Sequence, residues 1–267
     1  MALQGPSEWR ERACRQAAHA LLAKLKIAAP SEIDLEMLAF AAGGLLVEEG
    51  GLETSEGRLV AAPNMGGSIR VKSGLNPGRK RFTIAHEIGH FVLHPLDSHD
   101  REHTRSTFTI WHDASEEAEA NIFAAELLMP EFLFKPRSRG RVPSLALLDG
   151  LAEEFSSSTM ATAFQYLQYT NEQVALAVSE GERILWTKKV KDFWPRIQRN
   201  KVHPHSAAGE IISGKAGDTK KMVRSPVYAW LENFSEDSER EIMEDSRLIE
   251  YYGQTITLLW MKEDLNG

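Results

Sequence analysis

At 267 residues, with 42% hydrophobic and 26% charged residues, the chain has the composition of a soluble globular protein of one large or two smaller domains. Its net charge of −7 argues against a chain that coats nucleic acid, because phosphate binding draws on clustered Lys and Arg. Cys14 is the single cysteine, no stretch approaches the ~20 apolar residues of a membrane span, and charges interrupt residues 9–26 where a secretory signal would lie, so a soluble protein of the reducing cytoplasm is expected.

In chain order, residues 8–26 read as an amphipathic helix with Ala17, Leu21, Leu22 and Leu25 on one face. Pro30 opens a second helix, capped by Ser31, that runs past Leu35, Leu38 and Ala41 to the Gly43-Gly44 stop. Short strands are predicted at 45–47, 58–62 and 68–71, with turns at Gly50-Gly51 and around Pro63, Asn64, Gly66 and Gly67. Asn76-Pro77-Gly78 closes this β segment. A helix over 81–93 follows, with Phe82, Ala85, Gly89 and Val92 on one face and Pro95 as its stop. A polar loop rich in His and Asp leads to another helix at 115–129, ended by Pro130.

Helices are predicted at 145–155 and 159–169. Between Ser144 and Tyr169 there is no Lys or Arg, so this pair is not a DNA-reading element. Beyond Asn171 the reading is a hairpin (173–178 and 183–187), a glycine-containing loop near 209–217, a strand at 227–231, an acidic helix at 235–250 and a last strand at 255–261. Trp186, Trp194, Trp230 and Trp260 are read as core of this region. A boundary near residue 171 divides a domain of 1–170 from an accessory region of 171–267 with no assigned role.

The strongest chemical signal is His86-Glu87-Ile88-Gly89-His90. Two His four positions apart share a helix face, so both imidazoles can reach one metal. Glu87, beside the first His, can hold a metal-bound water and take its proton. A catalytic zinc needs a third protein ligand and one open position. The position six beyond His90 is Leu96, which excludes a third His there. A carboxylate from the 115–129 helix is the other solution, with Glu116, Glu117, Glu119 and Glu126 available. His94 reads as a structural residue at the end of the zinc helix, and His99, His103 and His112 as solvated loop residues.

Residues 81–90, RFTIAHEIGH, followed in order by residues 119–130, EANIFAAELLMP, resemble the ImmA/IrrE family of metallo-endopeptidases over roughly residues 30–170. The resemblance implies Zn2+ held by His86, His90 and Glu119, with Glu87 as general base. It also implies a cytoplasmic protease whose partner is a protein substrate, a helix-turn-helix repressor cleaved at specific sites in a stress or mobile-element response. Helical spacing favours Glu119 as well: it adjoins the stripe of Ala118, Ile122, Ala125 and Met129, while Glu116 and Glu117 suit the first-turn dipole.

The expected fold is α+β: a zincin-like helical catalytic domain with a small, mostly antiparallel sheet, and a smaller C-terminal α+β region. The strand at 68–71 is expected to be the sheet edge against which an extended substrate pairs. Direct nucleic-acid binding and membrane insertion are not expected. The alternative reading is a zinc-binding regulator that docks a partner without cutting it.

Overall fold

A computed structural model describes residues 6–53, 55–62, 66–94, 101–103, 116–194 and 196–262. It divides into two compact units, one of Met1–Arg137 with Leu151–Gln165, the other of Ser138–Gly150 with Tyr166–Gly267. Each mixes helices with a sheet, as an α+β chain should.

In the first unit, helix α1 (Glu8–Lys24) buries Cys14, Ala18, Leu21 and Leu22. A 3-10 turn (Pro30–Glu32) precedes α2 (Leu35–Gly43). The cap of α2 is Asp34, whose Oδ1 accepts the amides of Glu36 and Met37 at 2.9 and 3.1 Å, while Ser31 falls inside the turn. The chain leaves α2 through Gly44 at φ 75°, a left-handed conformation that glycine adopts without a Cβ penalty.

Strands β1 (Leu45–Gly50), β2 (Gly57–Ala62), β3 (Gly66–Lys72) and β4 (Arg101–His103) form a sheet of order β1-β3-β2-β4. β1 and β3 run parallel; the other pairings are antiparallel, so the sheet is mostly antiparallel as expected. Alternation decides which face is covered: Leu59, Ala61, Ile69 and Val71 are buried while Val60 is exposed. β3 hydrogen-bonds β1 on one side and β2 on the other. It therefore offers no free edge, and the expectation of substrate pairing at 68–71 is overturned.

Helix α3 (Pro77–Leu93) packs on β2 and β3. Asn76 caps it by accepting the Arg79 amide at 2.9 Å, and Pro77 sits in the first turn where no amide is needed, so α3 starts four residues before the predicted Arg81. Every residue from Phe82 to His90 is buried. Helix α4 (Glu116–Leu128) is buried from Ala118 onward and packs on both α3 and α1. The crossing of α3 and α4 is close at Gly89, where an added Cβ would lie 3.2 Å from the Ala120 Cα and carbonyl oxygen. Helix α5 (Glu131–Ser138) was not predicted; α6 (Leu145–Glu154) and α7 (Thr159–Tyr169) match expectation. Among the described residues no helix is long and apolar enough to cross a membrane.

The second unit holds an antiparallel sheet of order β6-β5-β9-β8-β7, from β5 (Val174–Glu180), β6 (Arg183–Lys189), β7 (Val223–Pro226), β8 (Glu241–Ile249) and β9 (Gln254–Trp260). The acidic helix expected at 235–250 is instead largely β8. Its acidic residues are not a solvated face: Glu244 is fully buried and accepts the amides of Ala207 and Ala208 and the Trp230 indole at 3.1, 2.7 and 2.8 Å. It thereby anchors the start of α8 (Ala207–Ile212), where a glycine loop was expected. The strand expected at 227–231 is a 3-10 turn over Val227–Ala229. Of the four tryptophans read as core, Trp230 is buried but Trp194 is exposed.

Candidate metal centre

α3 places His86 and His90 one turn apart, both buried, with their Nε2 atoms 3.1 Å from each other. From the first turn of α4, Glu117 brings one carboxylate oxygen to 3.3 Å from His86 Nε2 and the other to 3.2 Å from His90 Nε2. Two imidazole nitrogens and a carboxylate that converge in this way could hold a metal ion. A tetrahedral metal with bonds of ~2.0–2.1 Å separates its ligand atoms by roughly 3.3 Å, so the three donors fit one face of the tetrahedron. Among the described residues no fourth His, Cys, Asp or Glu joins that grouping. The donor set fits a divalent metal, of which these three residues would supply three ligands.

The rings are held from behind. His86 Nδ1 donates to Asn121 Oδ1 at 3.0 Å. His90 Nδ1 lies 3.2 Å from His94 Nδ1, and His94 Nε2 lies 3.2 Å from Glu119 Oε2. Glu119 Oε1 accepts from the Arg10 guanidinium at 2.6 Å. Burial alone would raise the Glu119 pKa, but the hydrogen bonds from Arg10 and His94 outweigh it and hold the carboxyl below its ordinary value.

Glu119, expected as third ligand, is engaged by Arg10 and His94, and the carboxylate that meets the imidazoles of both His86 and His90 is that of Glu117. The reason is rotation. Residues two apart on a helix point ~200° apart, so Glu117 and Asn121, four apart, face α3 together while Glu119 turns aside. His94, the C-cap of α3, is buried with its Nδ1 against that of His90. With Glu116 it forms a second grouping that shares His90. Glu126 lies with His19, the Glu131 amide and Gln165 at 2.6, 2.8 and 3.2 Å. His99 and His112 lie outside the described residues, and of His103 only the backbone, in β4, is described.

Glu87 is buried on α3, its carboxylate lying against the start of β2. A Cβ at Gly57 would come within 2.5 Å of Glu87 Oε1 and 2.6 Å of the Thr83 methyl. The strand thus leaves room for the carboxylate only because residue 57 has no side chain. The sequence reading missed Gly57, whose only signal was a glycine at the head of a strand.

Residues 43–166 match the Peptidase_M78 family model, described as an IrrE N-terminal-like domain. The chain is 30% identical over 90 residues to "Uncharacterized immunity region protein 2" of Bacillus phage phi105, a match spanning 33% of this chain and 55% of that protein. Its fold is similar to that of a Mycobacterium tuberculosis transcriptional regulator, with a TM-score of 0.54 over 93% of this chain and 76% of that one, at 13% identity. The matched segment contains β1, β2, β3, α3 and α4, and so every residue of the His86, His90 and Glu117 cluster. Residues 43–166 are thus similar to an IrrE N-terminal-like domain of the Peptidase_M78 family.

Proposed function

We propose that the chain is a zinc-dependent endopeptidase of the cytoplasm that cuts a separate helix-turn-helix repressor at one or a few sites. The observation that carries the reading is the convergence of His86 Nε2, His90 Nε2 and the Glu117 carboxylate, one helical residue away from the buried Glu87. When bound, zinc supplies a Lewis acid that polarises a peptide carbonyl and brings the pKa of a water toward ~7. His86 and His90 present Nε2 to the metal because Asn121 and His94 occupy their Nδ1 atoms. Glu87 takes the proton of the attacking water and passes it to the departing amine. Gly57, lacking a side chain, leaves room for its carboxylate.

The substrate class rests on the resemblance to the ImmA/IrrE family and on the phage immunity-region relative. It also rests on the absence of Lys and Arg between Ser144 and Tyr169, which leaves DNA reading to another protein.

The purified protein should hold about one zinc per chain, and His86→Ala should remove it. Glu87→Gln should keep the zinc while cleavage of a co-incubated repressor, encoded beside this chain, falls at least ~10²-fold. Cleavage near the wild-type rate in Glu87→Gln would remove Glu87 from the chemistry. Stable binding of the repressor with no cleavage would favour a docking regulator, and broad digestion of casein would count against a dedicated substrate.

A further inference from the structure

We propose that His94, Glu119 and Arg10 form a positioning relay behind the ligand His90, which makes the N-terminal helix α1 a working part of the metal centre. This rests on the metal site proposed above. α1 lies outside the segment 43–166 that matches the family domain, yet Arg10 on it ends the chain of contacts leading from His90.

The direction of every link follows from one requirement. For His90 to offer the Nε2 lone pair to a metal, its ring proton must sit on Nδ1. That atom faces the Nδ1 of His94 at 3.2 Å, so His94 must offer a lone pair there and carry its own proton on Nε2. His94 Nε2 lies 3.2 Å from Glu119 Oε2, an acceptor when ionised. The other oxygen, Oε1, takes the Arg10 guanidinium at 2.6 Å. Each contact then has one donor and one acceptor, and a carboxylate stands behind the ligand imidazole through a second imidazole. Such backing fixes ring orientation and raises ligand basicity.

The two ligands are supported unequally. His86 leans on the neutral Asn121, inside the matched domain. His90 leans on a charged pair whose guanidinium comes from α1. That helix is firmly seated: Cys14, Ala18, Leu21 and Leu22 are buried, and His19 meets Glu126 at 2.6 Å. His94 and Glu119 are buried, but the Arg10 side chain is 58% exposed, so the relay has one end open to solvent.

The test is zinc affinity at fixed pH, read by competition with a chromophoric chelator, with the d–d spectrum of Co2+ as a probe of ligand geometry. Glu119→Gln and His94→Gln should each weaken zinc by about 10–100-fold and shift the Co2+ bands, with the apo protein melting as wild type does. Arg10→Ala should weaken zinc by up to about 5-fold, as suits a half-exposed ion pair, and Arg10→Lys should restore part of the loss. Because the links are in series, Arg10→Ala combined with Glu119→Gln should bind zinc no worse than Glu119→Gln alone. Wild-type affinity and Co2+ spectrum in both Glu119→Gln and His94→Gln, or additive losses in the double variant, would overturn the relay. Two zinc ions per chain would also overturn it, since the Nδ1 atoms of His90 and His94 would then be ligands. A wild-type protein that binds no zinc, or a His86→Ala variant that binds it fully, would instead overturn the metal site itself.

Discussion

Gly57 and Glu117 are the residues at which small changes should separate metal binding from chemistry. At Gly57 an alanine Cβ would stand 2.5 Å from Glu87 Oε1, so the carboxylate or the strand must move by about 1 Å to reach ordinary contact. A displacement of that size in a catalytic group costs up to about 10²-fold in rate. Gly57→Ala should therefore lower kcat by about 10–100-fold while zinc content stays near one per chain, a split visible by steady-state kinetics beside elemental analysis. Glu117→Gln should do the reverse and weaken zinc more than Glu119→Gln does, because Glu117 alone among the described carboxylates meets both ligand imidazoles. Equal zinc affinity in Glu117→Gln and wild type would remove it from the metal. That His86, Glu87 and His90 lie together on one helix was legible because their spacing is a local property of that helix. The choice between Glu117 and Glu119 was not. A stripe argument needs a polar face for contrast, and α4 is buried all round from Ala118 to Leu128.

At the level of elements, the docking of α1 onto α4 should respond to pH through His19. Its hydrogen bond to Glu126 raises the imidazole pKa above the usual 6.5, against an opposing contribution from burial. Glu126 and Glu131 charges add to the rise and Arg15 opposes it. A folded pKa above the unfolded one means that the protonated His19 stabilises the native state fully below about pH 6.5. That contribution is lost as pH rises through the raised value. Melting of the wild-type protein should fall across this window, and His19→Gln should flatten the slope. A slope unchanged in His19→Gln would place the pH dependence elsewhere. In the first unit Pro130 made the end of α4 legible, whereas Asn76 and Pro77, read as closing the β segment, cap and open α3, and α5, with Pro136 inside it, was missed. β8 was misread because the density of Glu and Asp looks like a solvated helix. Yet Glu244 and Asp245 are buried acceptors for groups distant in sequence, and a local pattern cannot show such partners. Cys14 is a further case. Its thiol is pushed up to about 11, first by burial and then by the charge of Glu119, so it is an inert core residue.

Across the whole molecule, the two compact units are each assembled from separated stretches of chain, so neither is a continuous segment that a single cut would release. The second unit takes Ser138–Gly150 from ahead of α7, and two contacts tie that stretch to β8. Asp245, 3% exposed, accepts the Leu145 amide at the start of α6 at 2.7 Å and the Thr219 hydroxyl at 2.6 Å. Asp149 accepts from both terminal nitrogens of the Arg247 guanidinium, at 2.7 and 3.1 Å. The ion pair is about one-third exposed and contributes at most about 1 kcal/mol. The buried carboxylate is worth more: a hydrogen bond to a charged acceptor contributes about 1.5–3 kcal/mol, and Asp245→Ala would also leave the Leu145 amide without its acceptor. Cooperative opening units show in native-state hydrogen exchange as amides that share one opening free energy. The amides of 146–150 and those of β8 and β9 should therefore exchange together. Asp245→Ala should lower that shared opening free energy by about 1.5–3 kcal/mol and leave the core amides of α3 and α4 near their wild-type values. Should the amides of 146–150 instead follow α3 and α4, and stay unmoved by Asp245→Ala, then Asp245 does not bind this stretch into the second unit.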